Sequence, residues 1–392
     1  MEHSQYINDL SKCVRCGSCK ALCPTFDEGA SEAMGARGRL RLLYALSTGQ
    51  LGPSSRLNDH IFSCMLCGVC SRTCPLGIDI SEVIYHARSL LRGSDKSIQS
   101  LGVLINLALK NDKISFRLFK TALAILAPLL IKKGFLTSPP EMPDAPIRSG
   151  HRIYTVQKKR GRVAVFSGCM VKCFYPNLVE ILSEVLRKLG YEVVLPGGEM
   201  CCGIPMRSLG FEEEASGFAR KNLKTFKQLH IEAILSLCPT CTLVMREQYP
   251  KLIGEGVENV MDISDFFINK LAPLSQASKT HQLKSATFHD PCHLKYGLGI
   301  SEEPRKIIRN AGIEIIEAKS KGCCGFGGVF SMLNKDISKG LLSKRADTLC
   351  ATGAEAIVTA CPGCMFHLSQ GTKKIPVMHL IEIIDLFYSD LL

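Results

Sequence analysis

Several features that are common in enzymes and membrane proteins are missing from this 392-residue chain. No G-x-G-x-x-G follows a predicted strand and no phosphate-binding P-loop is present, so neither a nicotinamide nor a flavin site is expected. The longest apolar run, residues 122–131, is half of the ~20 residues that a membrane-spanning helix needs, and it contains Pro128. We interpret this run as a buried or surface-lying helix and expect no transmembrane span.

The N-terminus and the charge distribution argue against two further classes of protein. The first residues have no basic start followed by an apolar core, so no signal peptide is visible and a reduced, cytoplasmic setting is expected. The formal net charge is +12, yet Lys and Arg are scattered and no aromatic-interleaved basic motif accompanies them. We therefore expect no nucleic-acid partner, since part of this charge can offset deprotonated, metal-bound thiols.

Cysteine, in contrast, is abundant, with 20 residues in the chain. Two copies of the pattern C-x2-C-x2-C-x3-C-P lie 51 residues apart, which indicates an internal duplication. This is the bacterial ferredoxin pattern for a 4Fe-4S cubane, in which the fourth cysteine binds the other cluster. Structural zinc is the alternative, but it usually draws on two separated C-x2-C pairs. The predicted ligand sets are Cys13, Cys16, Cys19 and Cys74 for one cubane, and Cys64, Cys67, Cys70 and Cys23 for the other.

The segment between the two motifs is longer than a small ferredoxin would insert, which favours a helical N-terminal domain. We predict helices over residues 33–47 and 76–92 within a domain that spans residues 1–131. Residues 132–160 are rich in Pro and charge and lack apolar periodicity, which is typical of a linker.

The rest of the chain contains a second duplication. "LRKLGYEVV" aligns with "IRNAGIEII" at an offset of 122 residues, and "IEAILSLCPTC" aligns with "AEAIVTACPGC" at 123. Each copy alternates short apolar strands with helices, which favours an α/β fold with a mostly parallel sheet. The predicted fold is therefore α+β and multidomain: the helical ferredoxin-like domain is followed by two α/β modules over residues 161–275 and 283–392.

Each module carries five cysteines that follow predicted strands, so we expect them beyond the C-terminal edge of the sheet. Five thiols exceed the four of a tetrahedral zinc site or an ordinary cubane. Either a site with more iron positions or one spare reactive thiol is required. The sets are Cys169, Cys201, Cys202, Cys238 and Cys241 in the first module, and Cys292, Cys323, Cys324, Cys361 and Cys364 in the second.

Four residues near these sets carry weaker signals. Cys173 has no cysteine counterpart in the second module and is interpreted as a partly buried thiol, whereas Cys350 is interpreted as a core residue. His289 and His293 flank Cys292 in "HDPCH". They could donate a hydrogen bond to a cluster sulfur, donate a proton, or cap the loop structurally.

The "CCG" doublets, the two ferredoxin motifs before them and the "GARGRLRLL" segment between those motifs together resemble one family over nearly all of the chain. It is the CCG-domain iron-sulfur subunit family, which contains such subunits of glycolate oxidase, anaerobic glycerol-3-phosphate dehydrogenase and heterodisulfide reductase. The resemblance implies that each five-cysteine set binds a noncubane 4Fe-4S cluster, with the doublet bridging irons. One such cluster beside an empty or zinc-filled second site is the alternative.

The arginines of that segment, Arg37, Arg39 and Arg41, could face a cluster or a partner, although a solvated helix face is the commoner explanation. Several one-electron centres without a two-electron cofactor favour an electron conduit. The resemblance implies the iron-sulfur subunit of a flavin-linked 2-hydroxy-acid oxidoreductase of the glycolate or lactate type. A separate FAD-containing subunit would then supply electrons for quinone or another acceptor.

The same resemblance is compatible with a further electron-transfer or membrane subunit, and partners could hold the chain at the inner face of the membrane. Oxidoreductase activity is expected of the complex and is not assigned to the isolated chain. One alternative is a heterodisulfide-reductase-like subunit that carries out disulfide and thiol chemistry at a noncubane cluster. Another is a non-catalytic scaffold stabilised by zinc or clusters.

Overall fold

The computed structural model describes residues 3–110, 150–271, 283–372 and 374–389, with a few isolated positions between 120 and 143. Most of the apolar run at 122–131 and most of the predicted linker at 132–160 lie outside the described residues. No helix within the described residues has both the length and the hydropathy that crossing a bilayer requires.

The described N-terminal part of the chain is helical. The predicted helices at 33–47 and 76–92 correspond to Ala36–Ser47 and Ile80–Leu91, and the second begins later because the Asp79 carboxylate caps it. The helices are His3–Ser11, Pro24–Gly29, Ala36–Ser47, Ser55–Phe62, Val69–Thr73, Ile80–Leu91 and Lys96–Lys110, with short 3₁₀ turns at Glu32–Met34 and Arg92–Ser94.

The first α/β module is built on a five-stranded sheet with the order β1-β3-β2-β4-β5. β2 to β5 are parallel, whereas β1 pairs antiparallel with β3 at the edge of the sheet. β1 lies inside the predicted linker; three residues are too few to show the alternation that identifies a strand. The strands are β1 Arg152–Tyr154, β2 Gly161–Phe166, β3 Tyr191–Leu195, β4 Ala233–Ser236 and β5 Val260–Asp262.

The second module repeats this arrangement with a four-stranded, all-parallel sheet of order β7-β6-β8-β9. That order matches β3-β2-β4-β5 strand for strand, as the sequence duplication predicts. Phe166 pairs with Ser236 in the first sheet and His289 pairs with Thr359 in the second, so Phe166 and His289 are structural counterparts. The strands are β6 Ser285–His289, β7 Glu314–Ile315, β8 Ala356–Thr359 and β9 Val377–His379.

Helices connect the strands of both modules. In the first module they are Gly168–Phe174, Asn177–Lys188, Ile204–Ser208, Glu212–Lys227, Pro239–Leu243, Tyr249–Ile253 and Ile263–Asp265. In the second they are Glu302–Asn310, Val329–Leu333, Lys335–Cys350, Pro362–Gly371 and Leu380–Ser389. π-Helical turns lie at Val244–Gln248, Phe266–Lys270 and His293–Leu298.

Three apolar clusters join the parts of the molecule. One core runs through both sheets, where Leu182 and Ile384 are fully buried. A second core packs the N-terminal helices against Met206 and Phe218 of the first module. The third contains the buried cysteines of both modules. The two modules therefore share their interior, and their cysteine sets lie close together.

Candidate metal centres

The N-terminal cysteines surround two separate cavities. Each cavity is lined by three cysteines from one motif and the fourth cysteine of the other motif. The structure thus brings together the two crossed sets of four. One cavity, which we call site N1, contains Cys13, Cys16, Cys19 and Cys74. The other, site N2, contains Cys23, Cys64, Cys67 and Cys70.

The loops of the two motifs share a rare backbone conformation. Arg15 and Leu66 have φ of 59° and 56°, and Gly17 and Gly68 follow at 88° and 77°. Left-handed conformations are uncommon outside glycine and carry a cost of roughly 1–3 kcal/mol where they are held. Both loops hold them at equivalent positions, so the chain curls in the same way around each group of three thiols.

Site N2 is flanked by two buried guanidinium groups. Arg39 is 1% exposed and donates hydrogen bonds to the His60 carbonyl and to the hydroxyls of Thr25 and Ser63. The helix around "GARGR" therefore does not leave this arginine in solvent. Arg37, by contrast, lies beside site N1, and Arg41 is exposed.

Arg88 is the second of these groups, at 2% exposed, and no feature of the sequence singled it out. It donates to the backbone carbonyls of Ile61, Phe62, Cys64 and Ser208. Burial lowers the pKa of Arg88 to about 10, so the group stays protonated at neutral pH.

The five cysteines of the first module, site M1, form a connected group of sulfurs. The Sγ atoms of Cys169 and Cys201 lie 3.7 Å apart. Hydrogen bonds from Cys201 and Cys241 lower the pKa of Cys202 to about 6. In the same group, burial and neighbouring thiols keep the pKa of Cys201 and Cys241 well above the ordinary value. Cys238 completes the set and shares a hydrogen bond with Cys241.

The five cysteines of the second module, site M2, are arranged in the same way. The Sγ atoms of Cys324 and Cys364 lie 3.4 Å apart. Hydrogen bonds from Cys323 and Cys364 lower the pKa of Cys324, whereas burial raises that of Cys292 to about 12. Cys361 shares a hydrogen bond with Cys364.

The glycine of each "CCG" is dictated by crowding. Gly203 and Gly325 have φ of 91° and 85°, which L side chains rarely adopt. A Cβ at Gly325 would lie 2.5 Å from the Ser338 carbonyl oxygen. The doublet can therefore turn toward its site only because a glycine follows it.

Site M2 has two histidines among its polar neighbours. The Nδ1 atom of His289 accepts a hydrogen bond of 3.0 Å from Arg345 Nε, and the ring lies within 4.8 Å of the sulfurs of Cys324 and Cys364. His367 Nδ1 donates to the Cys324 carbonyl at 2.7 Å. The counterpart of His289 in the first module is Phe166, which has no donor.

The second histidine of "HDPCH" joins three parts of the molecule. His293 Nε2 donates to the Leu66 carbonyl of a ferredoxin motif at 2.9 Å, and Nδ1 accepts from Thr240 of the first module at 2.8 Å. Burial lowers the pKa of His293, which keeps the ring neutral and this pattern intact. His293 is therefore a bridge between the sites and not only a cap of its own loop.

The four sites are neighbours in space. Met65 of site N2 places its Sδ atom 3.9 Å from the Cys323 sulfur of site M2. Cys361 of site M2 shares a hydrogen bond with Cys238 of site M1. Cys19 of site N1 lies close enough to Cys70 of site N2 for its ionised form to raise the pKa of Cys70. The order in space is therefore N1, N2, M2 and M1.

A cavity of about 380 Å³ separates site N2 from site M2. Cys67 lies on one side of it and Cys323 and Cys324 lie on the other. Its wall also carries four cationic side chains and two carboxylates: Lys295, Lys321, Lys344, Arg345, Asp27 and Asp290.

Two cysteines stay outside these groups. Cys173 is half-buried in the helix Gly168–Phe174, in line with its interpretation as a partly buried thiol. Cys350 is also half-buried, at the end of the helix Lys335–Cys350, so its interpretation as a core residue is wrong. It lies at the helix end, where the apolar face of the helix meets solvent.

The donor chemistry of these sites fits iron-sulfur clusters. Burial and mutual repulsion keep the pKa of most of these thiols high, as for Cys67 and Cys169, so several thiolates cannot coexist there without a cation. Iron bound by thiolates supplies that cation and releases the protons. The grouped thiols are therefore suited to metal-cluster binding.

Family models match both parts of the chain. A model described as a 4Fe-4S dicluster domain matches residues 9–78, and one described as a cysteine-rich domain, CCG, matches residues 163–246 and 286–369. These matches define the class: an iron-sulfur protein with a dicluster segment followed by two cysteine-rich domains. The chain belongs to the CCG-domain iron-sulfur subunit family, which confirms the resemblance inferred from the motifs.

Relatives of known name agree with this family. The chain is 27% identical to a fumarate reductase (CoM/CoB) subunit of Methanothermobacter marburgensis, over 99% of this chain and 74% of the relative. It is 26% identical to a probable glycolate oxidase iron-sulfur subunit of Bacillus subtilis, over 96% and 93%. Lactate utilization protein A of Bacillus velezensis is 31% identical, over 57% and 99%.

A solved structure supports the fold alone. The crystal structure of a hypothetical protein from Helicobacter pylori superposes with a TM-score of 0.56 at 11% identity, and covers 98% of this chain and 74% of that chain. The family matches show an iron-sulfur protein, and its named relatives include iron-sulfur subunits of oxidoreductases.

Proposed function

We propose that this chain is the iron-sulfur subunit of a flavin-linked 2-hydroxy-acid oxidoreductase of the glycolate or lactate type. It relays electrons from an FAD-containing subunit toward quinone or another acceptor. The observation that carries the proposal is the unbroken spatial order of the four thiol sites, from N1 at the surface to M1 in the interior. The relatives named for glycolate oxidase and lactate utilization support the substrate class.

The residues that would hold the clusters are those of the four sites. Sites N1 and N2 would each hold a cubane, and sites M1 and M2 would hold one or two noncubane 4Fe-4S clusters. When bound, such clusters supply one-electron transfer. In this proposal residues 1–131 form the dicluster domain, 132–160 the connection, and 161–275 and 283–392 the two cysteine-rich modules.

The chain itself fixes the distances between the sites. His293 ties the loop of site N2 to the first module through the Leu66 carbonyl and Thr240. Arg88 ties the same loop to the Ser208 carbonyl, 2.7 Å away. We expect the complex to work in the cytoplasm, with partner subunits able to hold it at the inner face of the membrane.

Anaerobic co-purification tests this proposal. The chain is tagged in its native host, purified with its partners, and assayed for flavin content and for glycolate- and lactate-dependent dye reduction. We expect stoichiometric flavin and hydroxy-acid-dependent reduction of the iron-sulfur signals. A Cys67→Ala variant should lose this reduction, whereas Cys173→Ala, outside the four sites, should keep it. A flavoprotein partner that oxidises no hydroxy acid would contradict the substrate class.

Disulfide and thiol chemistry at site M2 is the second candidate function. The cavity of about 380 Å³ beside Cys323 and Cys324 favours it, because a substrate could reach these sulfurs there. The relative named as a CoM/CoB fumarate reductase subunit supports it too. Thiol and disulfide substrates are offered to the purified, cluster-loaded chain with a reduced viologen dye. An inert protein would exclude this candidate.

A further inference from the structure

The two N-terminal sites differ in how their positive charges are compensated. Beside site N2, Arg39 and Arg88 are buried, and no carboxylate of the described residues forms an ion pair with either one. Carbonyl and hydroxyl oxygens accept hydrogen bonds from the N–H groups of the two arginines. These neutral acceptors do not cancel the positive charge of either guanidinium group. Few mobile water dipoles surround them, so these charges act over a low effective dielectric constant.

Beside site N1 one carboxylate, that of Glu32, pairs with two partly exposed cations. The guanidinium of Arg37 forms an ion pair of 2.8 Å with the Glu32 carboxylate, and the two side chains are 30% and 49% exposed. Lys20 also binds Glu32, at 2.7 Å. Solvent and the paired carboxylate screen such exposed charges. The thiols of site N1 therefore experience less positive potential than those of site N2.

We propose that Arg39 and Arg88 raise the reduction potential of the cluster at site N2 above that of the cluster at site N1, and so direct electrons inward. Reduction adds one negative charge to a cluster, and a buried positive charge nearby stabilises the reduced form. This inference rests on the proposed function, since it needs a cluster in each site. It assigns the direction of electron flow.

The position of the two sites agrees with this direction. Cys16 of site N1 is exposed, and Val14 of the same loop is 67% exposed. Site N2 lies further inside, with Met65 in contact with Cys323 of site M2. The thiols of site N1 would hold the cluster that takes one electron from a reduced flavoprotein, and those of site N2 would hold the cluster that receives it, so that one oxidation balances one reduction.

Redox-titrated electron paramagnetic resonance of the full, anaerobically purified chain tests the proposal. Cys16→Ser and Cys67→Ser assign the signals, because each changes the ligands of one site. In the wild type we expect the N2 signal to have the higher midpoint potential. Arg39→Gln should lower the midpoint potential of the N2 signal by at least about 59 mV, which corresponds to a tenfold change in the one-electron equilibrium constant. Arg39→Lys keeps the positive charge, so its N2 midpoint potential should stay close to that of the wild type.

Arg37→Gln is the matched control, since it removes a partly exposed guanidinium that is paired with Glu32 and donates to the Arg15 carbonyl. Arg37→Gln should move the midpoint potentials of the N1 and N2 signals by less than about 59 mV. Arg88→Gln should also lower the N2 midpoint potential. Because the Arg88→Gln change leaves four backbone carbonyls without a donor, this variant could fail to assemble. In that case the result for Arg39→Gln decides. A higher potential at site N1 in the wild type, or an unchanged N2 midpoint in Arg39→Gln, would overturn the proposal. The titration needs neither flavoprotein nor hydroxy acid, so its failure and that of the proposed function are distinguishable.

Discussion

His289 shows how one hydrogen bond can fix the chemistry of a buried side chain. Arginine Nε can only donate, so Arg345 forces His289 Nδ1 to accept. Burial lowers the pKa of His289, so the ring is neutral and its single proton sits on Nε2. That atom contacts the Cys324 thiol, where His289 acts as a donor and not as a metal ligand.

Replacing His289 with the residue found at the equivalent position of the first module should remove this donor. We expect His289→Phe to lower the midpoint potential of the M2 signal, because a hydrogen bond to a thiolate favours the reduced state; such bonds contribute about 1.5–3 kcal/mol. Redox-titrated paramagnetic resonance measures the shift. The exposed His230→Phe serves as the control, and equal midpoints in both variants would show that His289 has no such role.

At the scale of elements, the helix Ile80–Leu91 connects the dicluster segment to the first module. Its Glu82 carboxylate receives two hydrogen bonds from Arg207, of 3.0 and 2.7 Å, and both side chains are almost fully buried. Lys251 approaches the same carboxylate at 3.5 Å. One helix therefore carries both Arg88, beside site N2, and the ion pair that holds the two parts together.

Glu82→Gln should weaken this connection strongly. Removal of one partner from a buried ion pair leaves an uncompensated charge and costs about 3–5 kcal/mol. We expect a lower thermal unfolding midpoint under anaerobic conditions and faster proteolysis between the two parts. Glu247→Gln breaks the exposed pair with Arg246 and should change the midpoint little. Equal midpoints for the two variants would contradict the structural role of Glu82.

The turn after β5 contains a second buried carboxyl group. Asp262 Oδ1 accepts from Ser264 N at 2.9 Å, whereas Oδ2 is buried with no hydrogen-bond partner in the described residues. Burial raises the pKa of Asp262 from 3.8 to about 7. The folded state therefore favours the protonated carboxyl group of Asp262. The stability that this protonated group contributes is fully present below about pH 4 and is lost as the pH rises to about 7.

Asp262→Asn should remove this loss of stability at higher pH, because an amide does not ionise. Relative to wild type, we expect the variant to gain about 3 kcal/mol of stability as the pH rises from 5 to 8, because about two pH units of the titration window lie in this range at 1.36 kcal/mol per unit. Thermal unfolding at several pH values measures the difference. The exposed Asp59→Asn is the control. A constant difference between variant and wild type across this range would show that Asp262 does not titrate there.

At the scale of the whole molecule, the sequence predicts the features that are repeated along the chain: the cysteine motifs and the two similar sheets. Cysteine spacing and the two duplications predict the four groups of cysteines and the paired sheets, because both are local patterns. The burial of Arg39 and Arg88 is not predictable in this way, since it depends on the carbonyls of distant segments such as Ser208. The bridge from His293 to Leu66 and Thr240 likewise joins three separate segments. Tertiary packing decides these features.

The cysteine-rich modules are proposed to hold iron-sulfur clusters in addition to those of sites N1 and N2. The decisive measurement is the iron, sulfide and zinc content of the anaerobically purified full chain. We expect roughly sixteen irons per chain if sites M1 and M2 are both filled and roughly twelve if one is, at about four per cluster, with little zinc. Roughly eight irons would leave only sites N1 and N2 filled, and would contradict a relay that continues through both cysteine-rich modules.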